Sequence, residues 1–347
     1  MNQESSDIQR TEISEYGEFG LIERLTQNFK TYSDSTLKGI GDDAAVIKNK
    51  ESCTVITTDM MVEGVHFDLA YFPLKHLGYK SIISNLSDIY AMNAIPEQVT
   101  VSIAVSNRFS VEALEVLYEG IRQACIDYKV DLIGGDTTAS LRGLVISVTA
   151  IGRQVEPKIS YRSGAKSGDY IFVTGELGAA YLGLQLLERE KQVYLSTPGV
   201  QPNLEDQKYL VGKFLKPDAK KETIEWLEKI KVIPTAMIDL SDGLSSDLKH
   251  LCKQSQVGAE IIESLIPMHL DAKMMALKFH MDPLTCALNG GEDYELLFTV
   301  SPQDSEKVKF IPDLNYIGEI KDASFGVMLK GNTGNLHALK AQGWTHF

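Results

Sequence analysis

Five segments of the 347-residue chain set an aspartate behind small or hydroxyl-bearing residues: Gly41-Asp42-Asp43, Thr57-Thr58-Asp59, Asn85-Leu86-Ser87-Asp88, Gly134-Gly135-Asp136 and Asp239-Leu240-Ser241-Asp242. Loops at the ends of strands on a rigid sheet are where functional sites are commonly built. Carboxylates gathered there repel one another unless a cation neutralises them. All-oxygen donors suit hard ions, above all Mg²⁺ when phosphate supplies the remaining ligands. One such turn would be an N-cap or turn former, and Asp242 can be read as the cap of a helix beginning at Leu244. Five in one chain point to a metal site.

Other residues carry two readings each. Gly134-Gly135 and Gly290-Gly291 supply positive φ for tight turns, or bare N–H groups for phosphate oxygens. Arg162, in Ser160-Tyr161-Arg162-Ser163-Gly164, is a surface arginine or a fork for phosphate. His66, after Gly64-Val65, is a structural histidine or a substrate contact. The P-loop pattern, the kinase HRD and DFG signatures, the G-x-S-x-G elbow and H-E-x-x-H are all missing.

The elements that must hold these residues read as short apolar runs and periodic stretches. Ala44–Ile47 and Thr54–Thr57 predict strands, the second running into Thr58-Asp59. Gly78–Ala91 predicts a helix with Ile82, Ile83, Leu86 and Ile89 on one face. Val99–Val105 predicts a strand, Val111–Tyr128 a helix, Val130–Ile133 a strand ending at Gly134, and Leu144–Ile151 a strand. Residues 1–17 read as a lead-in, followed by helical spacing at Phe19, Leu21, Ile22, Leu25 and Phe29. The second half predicts strands at Tyr170–Val173, Ala236–Ile238 and Glu295–Val300, and helices at Gly178–Glu188 and Leu244–Gln254. Arg189–Pro217 is polar and is assigned to neither class. Composition shifts to Pro, Ser, Gly and Lys over residues 152–168, which sets domains at 1–153 and 154–347. Strands and helices mix without strict alternation, so the fold class is α+β, or mixed α/β.

Net charge is −13, hydrophobic residues are 44% and charged residues 23%. That composition is globular rather than disordered. An acidic body disfavours nucleic acid and anionic membrane as partners. Four scattered cysteines with no CxxC pair suit a reducing cytoplasm and neither a disulfide framework nor a zinc site. There is no apolar leader and no run of membrane-spanning length.

The ordered motifs resemble those of the thiamine-monophosphate kinases. They are Gly39-Ile40-Gly41-Asp42-Asp43-Ala44-Ala45; Thr58-Asp59 with Gly64-Val65-His66-Phe67; Asn85-Leu86-Ser87-Asp88 with Ala91-Met92; Ile133-Gly134-Gly135-Asp136-Thr137-Thr138; Arg162-Ser163-Gly164-Ala165 with Gly168-Asp169; Ile238 to Leu244; Gly290-Gly291-Glu292-Asp293-Tyr294-Glu295-Leu296; and Gly343-Trp344-Thr345-His346-Phe347. The resemblance implies ATP-dependent phosphorylation of thiamine monophosphate to thiamine diphosphate. It implies a two-domain fold shared with aminoimidazole ribonucleotide synthetase, with an N-terminal sheet that dimerises and a C-terminal α/β sandwich. Carried over residue by residue, it implies Mg²⁺ ligands at Asp43, Thr57, Thr58, Asp59, Asp88, Asp136, Asp239 and Asp242, with Asp59, Asp136 and Asp242 as catalytic and K⁺ as a further candidate ion. Gly135, Asp136, Arg162, Ser241 and Tyr118 would contact ATP; His66, Glu292 and Trp344 would contact thiamine monophosphate. Where the family has Pro followed shortly by Arg, this chain has Pro217 and then Lys220-Lys221. The rival readings are sibling ATP-using enzymes of the same fold, a Mg²⁺-dependent phosphatase, and a non-catalytic ATP- and Mg²⁺-binding regulator.

Overall fold

The computed structural model describes residues 17–197 and 204–340. The first half runs α1 (Gly17–Thr26), β1 (Thr36–Lys38), β2 (Ala45–Lys48), β3 (Cys53–Val62), α2 (Leu74–Ala91), β4 (Ile95–Val105), α3 (Val111–Tyr128), β5 (Asp131–Ala139) and β6 (Leu144–Gln154). The second half runs β7 (Tyr170–Thr174), α4 (Ala179–Ser196), α5 (Lys208–Leu215), α6 (Lys221–Ile230), β8 (Ala236–Leu240), α7 (Leu244–Ser255), β9 (Gly258–Ile262), α8 (Leu270–Lys278), α9 (Pro283–Asn289), β10 (Glu295–Val300), α10 (Ser305–Val308), β11 (Leu314–Lys321), β12 (Val327–Lys330) and β13 (Leu336–Ala338).

Alternation decides how the first sheet sits. Val99, Val101 and Ile103 on β4, and Leu144, Ile146, Val148 and Ala150 on β6, are buried at every second position. They join Ile82, Ile83, Leu86 and Ile89 of α2 in one core. The strand order is β1-β2-β3-β6-β4-β5, antiparallel except for the parallel β4–β5 pair. The second sheet, β13-β12-β9-β11-β7-β10-β8, is antiparallel except at β12–β9.

Helix α2 is buried nearly all round, because it packs on β3 and β6 of the first sheet, on α3, and on β8 of the second sheet. Its contact with α3 is backbone on backbone. A Cβ on Gly78 would lie 2.0 Å from the Leu117 carbonyl, and one on Gly120 1.9 Å from the Lys75 carbonyl. One apolar cluster runs through both halves, from Val46 and Val101 to Phe172, Phe214 and Phe298.

Two expectations about the acidic turns are corrected. Thr57-Thr58-Asp59 lies inside β3, which pairs with β6 without a break from Cys53 to Val62. Gly134-Gly135-Asp136 likewise lies inside β5 rather than in a turn beyond a strand ending at Ile133. In β3 the β-branched Thr57 and Thr58 themselves favour a strand, whereas in β5 cross-strand hydrogen bonding carries the chain past two glycines whose local preference is to turn. Gly135 is required there, since a Cβ would sit 1.8 Å from the Val101 carbonyl. The unassigned stretch Arg189–Pro217 holds the end of α4 and all of α5. All four cysteines are free thiols. No helix among the described residues is long and apolar enough to cross a membrane.

Candidate active site

Three aspartates from three elements converge. Asp43 comes from the turn before β2, Asp88 from the last turn of α2 and Asp239 from β8. Each offers a carboxylate oxygen, and the three oxygens lie within 4.8 Å of one another. Their neighbours hold them in place. The Thr57 hydroxyl donates to Asp88 Oδ2 at 2.7 Å, and the Ser87 hydroxyl donates to Asp239 Oδ2 at 2.7 Å, tying α2 to the second sheet. Arg162 Nη2 donates to Asp43 Oδ1 at 2.8 Å. Asp43 Oδ2 is buried with no hydrogen-bond partner.

Charge makes this arrangement costly by itself. Burial, then the charges of Asp59, Asp239 and Asp43, hold Asp88 well above the usual carboxylate range, against the pull of the Thr57 hydrogen bond. Burial and Asp43 push Asp239 up to about 8. Burial also works against the Arg162 charge, but the carboxylates of Asp43, Asp42 and Asp239 together more than offset it, so the guanidinium stays protonated. A small all-oxygen cage with an orphaned carboxylate oxygen and one compensating cation fits a hard divalent ion.

A pH dependence follows. A carboxyl raised on folding binds more protons folded than unfolded, so its stabilising contribution is present at low pH and lost as pH rises. For Asp239 the window runs from the ordinary value of 3.8 to about 8. Ligand carboxylates must be ionised to hold a metal, so bound Mg²⁺ acts in the opposite direction. In EDTA the melting temperature is expected to fall between pH 5.5 and pH 8, and Mg²⁺ is expected to raise it more at pH 8. A Mg²⁺-induced rise that is equal at the two pH values, or larger at pH 5.5, contradicts the cage.

The other residues singled out in the sequence separate into groups. Thr57 and Asp59 alternate onto the α2 face of β3, and Asp59 N–H donates to Asn85 Oδ1 at 3.0 Å. Asp59 itself is exposed. Thr58 points to the other face, where its hydroxyl donates to the Val148 carbonyl at 3.0 Å; the structure does not bring it to the cluster. Asp136 is level with Ser102, Ser147 and Met60 across the sheet, with two strands, β4 and β6, between it and β3. Three strand spacings of about 4.8 Å put it roughly 14 Å from β3, too far to share an ion with Asp59 within one chain. With Gly135 and Tyr118 it lines a concavity of about 470 Å³ on the edge of the first sheet.

Asp242 does not cap α7. The cap residue is Gly243, and the carboxylate of Asp247 accepts from the N–H groups of Asp242 (3.3 Å) and Gly243 (3.1 Å). The loop after β8 and the loop before β10 lock together: Glu292 N–H donates to the Ser241 carbonyl at 2.8 Å, and Tyr294 N–H to that of Leu240 at 2.9 Å. Glu292 thereby stands beside Ser241, with a positive φ of 65°. His66 Nδ1 accepts from Val62 N–H at 3.0 Å, which leaves the proton of the neutral ring on Nε2. Trp344 lies outside the described residues.

Sequence reasoning passed over Asn85, Ser87 and Asp247 as individual side chains, and Lys80 altogether. The first two sit in a motif already noted for Asp88. Asp247 carries the ordinary signal of an acid in the first turn of a helix.

The geometry has counterparts in known proteins. Residues 41–154 match the family model of AIR synthase related protein, N-terminal domain, and residues 166–330 that of AIR synthase related protein, C-terminal domain. The chain is 33% identical over 335 residues to a thiamine-monophosphate kinase of Aquifex aeolicus (strain VF5), covering 96% of this chain and 99% of that one. It is 38% identical over 341 residues to a thiamine-monophosphate kinase of Buchnera aphidicola subsp. Schizaphis graminum, with coverage of 96% and 99%. A solved structure described as AaThiL complexed with AMPPCP and TMP superposes with a TM-score of 0.82 at 32% identity, covering 97% of this chain and 99% of that one.

Proposed function

The chain belongs to the thiamine-monophosphate kinases of the AIR synthase related family, and from that membership we infer that it phosphorylates thiamine monophosphate with ATP, giving thiamine diphosphate and ADP. The observation that carries the reading is the convergence of Asp43, Asp88 and Asp239, each from a separate family motif, on one small oxygen-lined space. Transfer is direct: a terminal phosphate oxygen of thiamine monophosphate attacks the γ-phosphorus of ATP, and the bond to the β–γ bridging oxygen breaks as ADP leaves. The nucleophile is already an anion at neutral pH, so no strong base is needed. Mg²⁺ in the aspartate cage would screen the repulsion between the two anionic reactants and the charge on the transferring oxygens.

The chain's own residues divide the remaining work. Asp43, Asp88 and Asp239 would hold the cation, with the Thr57 hydroxyl and Asp59 beside them and Asp242 as a further ligand. Gly135, Asp136 and Tyr118 form the nucleotide side, where main-chain N–H groups near Gly135 are open to phosphate. Arg162 balances the Asp43 charge and, with Ser241, faces the phosphates. His66 offers the Nε2 proton to the phosphorylated substrate, and Glu292 offers a carboxylate to the cationic, amino-bearing thiamine. Residues 1–153 and 154–347 act as two domains, consistent with one sheet built from residues 36–154 and the other from 170–338. The sheet face turned away from α2, where Ile56, Val145 and Ile151 are only partly covered, suits pairing with a second copy as a homodimer. The unpaired thiols suit a cytoplasmic enzyme.

The test is one incubation of the purified protein with ATP, Mg²⁺ and thiamine monophosphate, with separation of products by chromatography. Thiamine diphosphate and ADP are expected together, and neither with EDTA or with thiamine in place of its monophosphate. ADP or free phosphate without thiamine diphosphate overturns the substrate assignment.

A further inference from the structure

Lys80 is among the most buried side chains of the protein, at 1% exposure. Its ammonium lies 4.0 Å from the centre of the Phe214 ring and 5.5 Å from that of Phe72, and it donates to the Phe214 carbonyl at 2.9 Å. Glu292 is the carboxylate that faces it, with Nζ 3.1 Å from Oε1. The two ends of this pair differ in access: the Lys80 side chain is sealed, whereas Glu292 keeps 29% of its side chain exposed. A lysine is rarely sealed away from water without a purpose or a partner, because burial disfavours its charge.

We propose that Lys80 is a positioning residue for substrate recognition, drawing Oε1 of Glu292 inward so that the rest of the carboxylate is held open toward the thiamine moiety. The proposal rests on the reading of Glu292 as a substrate contact. Three further observations support the geometry. The Glu292 backbone is fixed by its N–H bond to Ser241 and its left-handed conformation, so the side chain is anchored at both ends. The Phe214 carbonyl and ring belong to α5, so the cation also ties the wall of the site to that helix. Burial lowers the Lys80 proton affinity while Glu292 raises it, as expected of a charge that depends on this partner.

The test is a double-mutant cycle read in Michaelis constants. Glu292→Gln is expected to raise KM for thiamine monophosphate by about tenfold or more, in line with loss of one charged contact in binding. Lys80→Met is expected to raise the same KM by a similar factor and to leave KM for ATP within about twofold. The double variant is expected to be no worse than Glu292→Gln alone, because the two residues act as one unit. Additive effects, or equal shifts in both Michaelis constants, overturn the role of Lys80. An unchanged KM in Glu292→Gln overturns the Glu292 reading instead. If Lys80→Met melts below the assay temperature, the cycle is run with Lys80→Gln, which keeps a donor for the Phe214 carbonyl; the same outcomes decide.

Discussion

Replacing Asp88 by Asn is expected to lower kcat by about a hundredfold or more, the scale of losing one charged partner of the transition state. Asp88 is the member of the cage that sits at the end of α2 and faces three other carboxylates. It accepts from Thr57 and feels the charges of Asp59, Asp239 and Asp43. The amide keeps the size of the side chain but removes one negative charge from the three-carboxylate space proposed to hold the cation. Stability should move the other way. Without metal, the buried carboxylates repel one another and resist desolvation, so the Asn variant should melt no lower than the parent in EDTA and should respond less to added Mg²⁺. Turnover within a few-fold of the parent would remove Asp88 from the metal site. A drop in activity accompanied by a large loss of stability in EDTA would mark it as a structural residue.

The second large effect concerns folding. Gly120→Ala is expected to destabilise the protein by more than about 3 kcal/mol, at the upper end of what overpacking costs. A Cβ at Gly120 would meet the Lys75 carbonyl at 1.9 Å, and backbone on α2 cannot rotate away as a side chain would. Helices α2 and α3 would have to separate, which disturbs the helix that carries Asp88 and Lys80. Gly212→Ala on α5 is the matched control. Nothing lies within 4 Å of its added methyl, so helix propensity favours the change by up to about 1 kcal/mol. Denaturant unfolding of the two variants should therefore differ in sign, and a Gly120→Ala protein as stable as the parent would refute the close contact.

What the sequence made legible was local. Asp43, Asp88 and Asp239 stand out because small or hydroxyl-bearing residues surround them, and Val111–Tyr128 and Glu295–Val300 are recognised from their apolar patterns to the residue. The division of the acidic residues was not legible, because it depends on strand order. Asp136 lies away from Asp59 only because β6 and β4 come between β3 and β5. Strands β9 and β11 to β13 escaped notice for a related reason. Strands β12 and β13 are short, β9 opens on Gly258 and the longer β11 is interrupted by Gly318, both glycines lying where other backbone approaches too closely for a Cβ. Lys80 escaped because a lysine on a helix ordinarily faces water, and only the packing of α5 over α2 shows that this one does not.

Helix α2 carries Lys80 just before its midpoint and Asp88 in its last turn, eight positions apart. At about 1.5 Å of rise per residue, the group that orients Glu292 and the group that belongs to the cage are held some 12 Å apart along one rod. Their spacing is thus counted in residues rather than adjusted by loops. A single insertion between them would lengthen that spacing by about 1.5 Å and swing one group around the axis by about 100° relative to the other. Over evolutionary time, insertions and deletions should therefore collect in the connections on either side of α2 and be missing from the stretch between Lys80 and Asp88, whatever happens to the identities of the residues there.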